Sequence, residues 1–303
     1  MSHEMHHFDM GLWVLLLAYG TSVAGSFIGL SCAHRVAERP PGPARWGWLL
    51  MAALSIGGVG IWMTHFIAMM GLAVPGTLIR YDPTLTALSA IVAVAATAFG
   101  LRLIDLRVLA GRPILGTAAL LVGSAVMGLT VSVMHYSGMA AIRIRGELSY
   151  DPIFVAASVG IGIGASIAAL WLARVAVGRS TRVLGALVMG CAVAALHYTG
   201  MAGVHVSLDP AAPAPDGVTI MSLMLPSYVL GTIVLAVPLV ALLLTPRTAE
   251  PGLDEAIAKW TSESSGTEPV PEEHERVTTT RARLATGGRR ITPRRYPAHH
   301  NVR

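Results

Sequence analysis

Three histidines stand in three near-copies of one short motif: Trp62-Met63-Thr64-His65-Phe66-Ile67-Ala68-Met69, Met134-His135-Tyr136-Ser137-Gly138-Met139 and Leu196-His197-Tyr198-Thr199-Gly200-Met201. Each copy reads histidine, aromatic, any residue, alanine or glycine, methionine. Residues i and i+4 share a helix face, so each copy presents an imidazole beside a thioether: His65 with Met69, His135 with Met139, His197 with Met201. Imidazole and thioether without carboxylate make a soft donor set. It suits copper, Cu(I) above all, and argues against magnesium, calcium or manganese. Zinc prefers thiolate, imidazole or carboxylate, and neither Cys32 nor Cys191 lies at this level. Haem is the alternative on the same donors, because His/Met ligation of haem iron is known. Met63, Met70 and Met134 enrich the layer, and Met63 and Met134 are additional candidate ligands.

The elements that must carry these residues are membrane helices. The chain has 303 residues, 53% of them hydrophobic and only 13% charged, with a mean hydropathy of +0.61. A soluble domain has about a quarter of its residues charged. The apolar residues fall into seven blocks, roughly 11–33, 46–74, 84–104, 114–142, 152–177, 183–206 and 220–244. Each is about the length that crosses a bilayer core, and backbone polar groups in lipid pair only within helices or closed barrels. The expected fold is therefore an all-α membrane protein of seven transmembrane helices. The first block lacks the basic leader and cleavage site of a signal peptide and is read as a span. Cys32 and Cys191 are read as small core residues rather than a disulfide framework.

Helices 1–2, 3–4 and 5–6 read as three copies of a helix pair, with helix 7 extra. The histidine always falls on the even-numbered helix, so the three copies run the same way and a pseudo-symmetry axis should lie along the membrane normal. A glycine precedes each histidine by seven positions: Gly58, Gly128 and Gly190. Small residues there and at His+3 let backbones approach closely. Counting seven to nine residues from each histidine to its expected helix end gives a depth of ~10–14 Å at 1.5 Å per residue. Tyr81-Asp82-Pro83 and Tyr150-Asp151-Pro152 precede helices 3 and 5, where an aspartate cap and an N-terminal proline start a helix. Leu208-Asp209-Pro210 reads as a turn.

Charge sets the orientation. Of twelve basic residues in the membrane portion, nine sit in alternate loops: Arg35, Arg39, Arg45, Arg102, Arg107, Arg112, Arg174, Arg179 and Arg182. The positive-inside rule then puts the N-terminus outside and the C-terminus in the cytoplasm, in a bacterial cytoplasmic membrane. The net charge of +5 is thus topological and no sign of a nucleic-acid partner. Three regions follow. Residues 1–10 are a His/Met-rich outer segment whose His3, His6 and His7 are further candidate copper ligands, residues 11–245 are the seven-helix domain, and residues 246–303 read as a disordered cytoplasmic tail, acidic first and basic last.

At the three histidine segments the sequence resembles the MHYT family of bacterial integral-membrane sensor domains. The eponymous string stands here as Met134-His135-Tyr136-Ser137 and Leu196-His197-Tyr198-Thr199, with Met63-Thr64-His65-Phe66 a looser first copy. The resemblance spans about residues 8–245. It implies copper held by the motif His and Met residues near the outer membrane face, and sensing of a diatomic gas such as oxygen, carbon monoxide or nitric oxide. The departures are Leu196 for the first methionine of the third copy and the inserted Thr64 in the first. His and the methionine at +4 remain the common denominator.

The expected function is a copper-dependent membrane sensor of a gas ligand or redox state that signals to a separate protein partner. Many relatives fuse the domain to a cyclic-di-GMP synthase or hydrolase, whereas the polar tail here is too short to hold one. An enzyme is not expected, because no carboxylate pair, nucleophile triad or phosphate loop stands in the sequence. The alternatives are a copper transporter or buffer and a haem-binding membrane protein. Transport needs polar or ionisable groups through the bilayer, and the inner halves of the helices offer little beyond Ser55, Ser124, Thr130 and Cys191.

Overall fold

The computed structural model describes residues 9–104, 113–175, 178–245 and 260. Among the described residues, seven helices are long and apolar enough to cross a membrane: α1 Trp13–Glu38, α2 Pro43–Met69, α3 Pro83–Ile104, α4 Pro113–Ala140, α5 Pro152–Val175, α6 Arg179–Ala202 and α7 Ile220–Leu244. The chain divides at Pro246. The expectations for His3, His6 and His7, for Arg107 and Arg112, and for the tail apart from Trp260 lie outside the described residues.

Consecutive helices pack as the expected pairs, α1 on α2, α3 on α4 and α5 on α6. The pairs interlock through α2 on α3, α4 on α5 and α6 on α1, which closes a six-helix ring with the three motif helices alternating around it. Helix α7 stands beside the ring, against α1 and α2. Small residues set these contacts. A Cβ on Gly128 of α4 would meet the Ile163 Cα of α5 at 2.5 Å, and one on Gly190 of α6 would meet the Tyr19 ring of α1 at 3.0 Å. In α2 the close contact is at Gly57 rather than Gly58. A Cβ on Gly57 would lie 2.6 Å from the Ala93 carbonyl oxygen, whereas Gly58 has nothing nearer than 3.5 Å.

The reason for that one-residue shift is local. Leu54–Met63 of α2 is a π-helix flanked by α-helical Pro43–Ala53 and Thr64–Met69. A π-turn carries an extra residue and shifts the hydrogen bonds to i→i+5. The inserted Thr64 is thereby accommodated: Gly57 precedes His65 by eight residues, while Gly128 and Gly190 precede their histidines by seven. Carbonyls loosened by the wide turn are taken up by side chains, since buried acceptors must be paired. Ser22 of α1 donates to the Gly60 carbonyl at 2.7 Å, and the Thr64 hydroxyl lies 3.3 Å from the Val59 carbonyl.

Helices α2, α4 and α6 end sooner than the hydrophobic blocks suggest, at Met69, Ala140 and Ala202. The chain leaves each to form short antiparallel strands. β1 Arg80–Tyr81 pairs with β2 Ile142–Arg143, and β3 Gly146–Tyr150 pairs with β4 Val204–Leu208. The loops after all three motifs thus meet in one cap, here called the strand end. Asp82 accepts from the Thr84 and Leu85 amides at 2.9 and 3.1 Å, and Asp151 accepts from Ile153 at 2.8 Å, so both aspartates cap helices. Asp209 accepts from Ala211 in a turn. Arg35, Arg39, Arg45, Arg102, Arg174, Arg179 and Arg182 gather at the opposite end. There Arg35 donates to the Thr245 carbonyl at the end of α7.

Candidate metal centre

The three motif histidines meet at the centre of the ring. The Nδ1 of His65 lies 3.0 Å from Nδ1 of His197 and 3.2 Å from Nδ1 of His135. One ligand nitrogen from each falls within 4.8 Å of the others. The rings stand at 74–89° to one another with centroids 4.9–5.4 Å apart, like three blades around an axis. All three are buried, with exposures of 1–4%.

Ring geometry follows from the repeat. Each even-numbered helix runs from the arginine end to the strand end, so the histidines, placed at equal distances from the packing glycines of α4 and α6, arrive at one level. The π-turn brings His65 to the same level despite its extra residue. The small residue at His+3 then seats the neighbouring imidazole. A Cβ on Gly138 would stand 2.6 Å from Nε2 of His65, and one on Gly200 would stand 2.5 Å from Nε2 of His135. The sequence marked these glycines only as permitting close approach; their role as seats for another copy's ring shows only in three dimensions.

The layer is shallower than expected. Only four or five residues separate each histidine from its helix end, which is ~6–8 Å at 1.5 Å per residue. The expected depth assumed that each apolar block was helix to its last residue, but the chain turns after Met69, and Ile142, Val204 and Val206 pair as strands. Outward of the histidines, Met69, Met139 and Met201 are buried in one apolar cluster with Phe66, Tyr81 and Met224. Met63 belongs to the same cluster but faces α7: a Cβ on Gly231 would lie 2.7 Å from its sulfur. Met134 instead lines the space on the other side of the histidines, together with Met127 and Met189, which the motif did not mark. The aromatic residues at His+1 pack edge-on against their own histidine rings at 4.9 Å, and Tyr136 is further held by a 2.7 Å hydrogen bond with Ser158.

Two titrating groups in the cap are shifted, in opposite directions and for different reasons. The Tyr81 hydroxyl is pushed up by burial. The Asp82 carboxyl is held below the usual carboxylate range, first by the Leu85 amide and also by Arg143 at 3.1 Å and the Thr84 amide.

A metal ion fits these residues. Three Nδ1 atoms face one another, and a neutral imidazole has one N–H and one lone pair. A hydrogen bond from His65 satisfies one neighbour and leaves other lone pairs converging. A cation at that point would take them all. Metal–imidazole bonds of about 2.0–2.1 Å place donor nitrogens about 3.3–3.6 Å apart, close to the 3.0 and 3.2 Å seen here. The buried Nε2 atoms of His65 and His135 have no hydrogen-bond partner. That is unlike the usual metal-bound histidine, whose second nitrogen is held by a carboxylate or carbonyl. Here glycine seats and packed aromatics orient the rings. No acidic side chain joins the cluster among the described residues, so the donors remain imidazoles with thioethers beyond.

An all-helical membrane bundle with a repeated histidine motif at its centre is the class these features define. Residues 58–120 and 128–187 match the MHYT family, described as a bacterial signalling protein N-terminal repeat. The chain therefore carries MHYT repeats and belongs among membrane signalling sensor domains. It is 38% identical over 201 residues to the bifunctional diguanylate cyclase/cyclic di-GMP phosphodiesterase MucR of Pseudomonas aeruginosa, a match covering 64% of this chain and 28% of that protein. It is 33% identical over 206 residues to the cyclic di-GMP phosphodiesterase NbdA of the same organism, covering 66% and 25%. The signaling protein YkoW of Bacillus subtilis is 30% identical over 215 residues, covering 68% and 26%. The matched segments span about a quarter of those relatives' length. No solved structure matches the chain.

Proposed function

We propose that the domain is a copper-dependent sensor in a bacterial cytoplasmic membrane. His65, His135 and His197 hold the ion, in the Cu(I) or Cu(II) state, and Met69, Met139 and Met201 supply thioethers on its strand side. The ion supplies a redox-active centre able to take a diatomic ligand such as oxygen, carbon monoxide or nitric oxide. The observation that carries this reading is the convergence of three Nδ1 atoms, one from each repeat, in a buried layer with no carboxylate among the described residues. Soft and imidazole donors favour copper over hard cations.

The arginine end faces the cytoplasm by the positive-inside rule, so the cap and the N-terminus are outside and the C-terminus inside. A change at the ion shifts the motif helices against α1 and α7, and the signal passes to a separate protein. The relatives' names point to cyclic di-GMP enzymes as the partner class. Two features favour sensing over the alternatives. The space beside the histidines is about 40 Å³, too small for haem. Its lining offers a travelling copper ion no further ligand beyond thioethers and Ser166, which speaks against transport.

Metal analysis and an absorption spectrum of the purified protein test the reading. Copper should be present, no Soret band should appear, and His135→Ala should abolish copper binding. A copper-free protein whose His135→Ala variant takes up added Cu(I) as well as the wild type does would end it.

A further inference from the structure

The three imidazoles form the roof of a cavity of about 40 Å³ on their arginine side. One turn below each histidine stand Ile61, Val131 and Val193, and a further turn down are Met127 and Met189. This is the same helix face continued, since i and i−4 stack. The remaining wall is α5, through Gly162, Ala165, Ser166 and Ala169.

Lining and size decide what fits. Ser166 carries the one hydroxyl among the lining residues, and the only other polar groups are the imidazoles. The other lining residues are apolar side chains or glycine, so away from the roof and Ser166 the space favours an apolar occupant. On this measure of volume a buried water needs about 10–15 Å³, and sites for drug-sized ligands start near 300 Å³. The cavity therefore takes a small molecule of a few atoms and excludes larger organic ligands.

The route in is set by what blocks the others. Toward the strand end, Phe66, Met69, Met139, Met201 and Tyr81 are each at most 2% exposed and form a plug. Helix α5 is the wall with the fewest side chains on its outer face. Gly160 and Gly164 have nothing within 4 Å of an added Cβ, so their side of the helix is open. Gly162, facing the cavity, lies under Leu196, whose Cδ1 would be 3.0 Å from an added Cβ. On its α4 side Gly162 is packed against Ser132 and the Gly128 carbonyl, so at this level the contact of Leu196 with Gly162, between α6 and α5, is the side-chain barrier to the cavity. Leu196 stands in the third copy where the second has Met134, and both line the space.

We propose that this cavity is a docking site for a small neutral molecule, which enters from the bilayer between α5 and α6 past Leu196 and stops at the imidazole roof. The consequence of docking rests on the copper reading; occupancy does not. Low-polarity molecules concentrate in the hydrocarbon layer, so this route supplies them where they are most abundant.

Xenon-pressurised crystals of the metal-free full-length protein provide the first test. Wild type should show one xenon beneath the histidines. Ala165→Leu, whose added side chain fills the space, should lose it, and Leu196→Ala should raise its occupancy. No xenon at that point in wild type, or unchanged occupancy in Ala165→Leu, would overturn the site. With Cu(I) loaded, recombination of carbon monoxide after a flash should slow at least tenfold in Ala165→Leu, at unchanged copper content, and quicken in Leu196→Ala. Wild-type rates in both variants would overturn the route. A protein that takes xenon here but never binds copper would support the site while ending the copper reading.

Discussion

The first motif helix and the other two reach the same point by different backbones. In α4 and α6 an unbroken α-helix carries a packing glycine and, seven residues on, the histidine. In α2 the interval is eight, and a π-helical stretch takes up the difference. What is held constant is the position of the imidazole, not the local helix. Such economy makes sense where the histidines share one site and none where each merely fills its own helix interface. Wide π-turns recur at functional sites in other proteins, and here the turn lies directly before the histidine that neighbours both others.

The comparison is broken most directly by altering register. Inserting a threonine between Met134 and His135 in α4 should turn His135 about 100° away and weaken copper binding by about 100-fold or more. Deleting Thr64 from α2 should instead restore an α-helix and leave copper affinity within about threefold, because His65 keeps its place relative to Gly57. Competition titrations against a Cu(I) chelator read both. Comparable losses in the two variants would show that the π-turn does not compensate for Thr64.

A second contrast is between neighbouring glycines. Gly57→Ala forces a methyl against the Ala93 carbonyl and should cost about 1–3 kcal/mol, whereas Gly58→Ala meets only ordinary contact at 3.5 Å and should be neutral. Thermal unfolding in nanodiscs distinguishes them, and the opposite order would place the register shift elsewhere. A smaller effect is expected at the serines. Ser22→Ala leaves the Gly60 carbonyl of the π-turn without its donor, a loss of about 1–2 kcal/mol. Ser132→Ala removes a hydroxyl bonded to the Gly128 carbonyl of its own α-helix and should cost under about 0.5 kcal/mol, because that carbonyl keeps its helical partner.

The smallest effect lies in the cap. Asp82 has a lowered folded pKa, so its contribution is complete above the ordinary carboxylate value of about 3.9 and fades as pH falls through the lower folded value. The melting temperature of wild type should therefore exceed that of Asp82→Asn at pH 7, with the gap closing toward pH 3. A gap that widened in acid would contradict the capping role.

Much of this was legible in the residues. The seven spans followed from apolar length, and the repeat followed from the recurring His–aromatic–small–Met string. Asp82 and Asp151 declared themselves as caps by standing before proline. The convergence of His65, His135 and His197 was readable because three copies on parallel helices leave few other arrangements. What stayed hidden depends on register and on partners far away in sequence. Thr64 was visible as an insertion, but its absorption by a π-turn depends on Ser22 and Gly25 of α1, whose contacts no local pattern encodes. A Cβ on Gly25 would lie 2.6 Å from the Gly60 amide. The early helix ends were masked because Ile142, Val204 and Val206 are as apolar as the spans they follow. Met127, Met189 and Leu196 became a cavity wall only once α5 closed over them.

The central claim is that three repeats share one ion. Cu(I) competition titrations on wild type and on His65→Ala, His135→Ala and His197→Ala test it most directly. One copper per chain is expected in wild type, with affinity lost by about 100-fold or more in every single variant. Wild-type affinity in any one of the three would contradict a shared site.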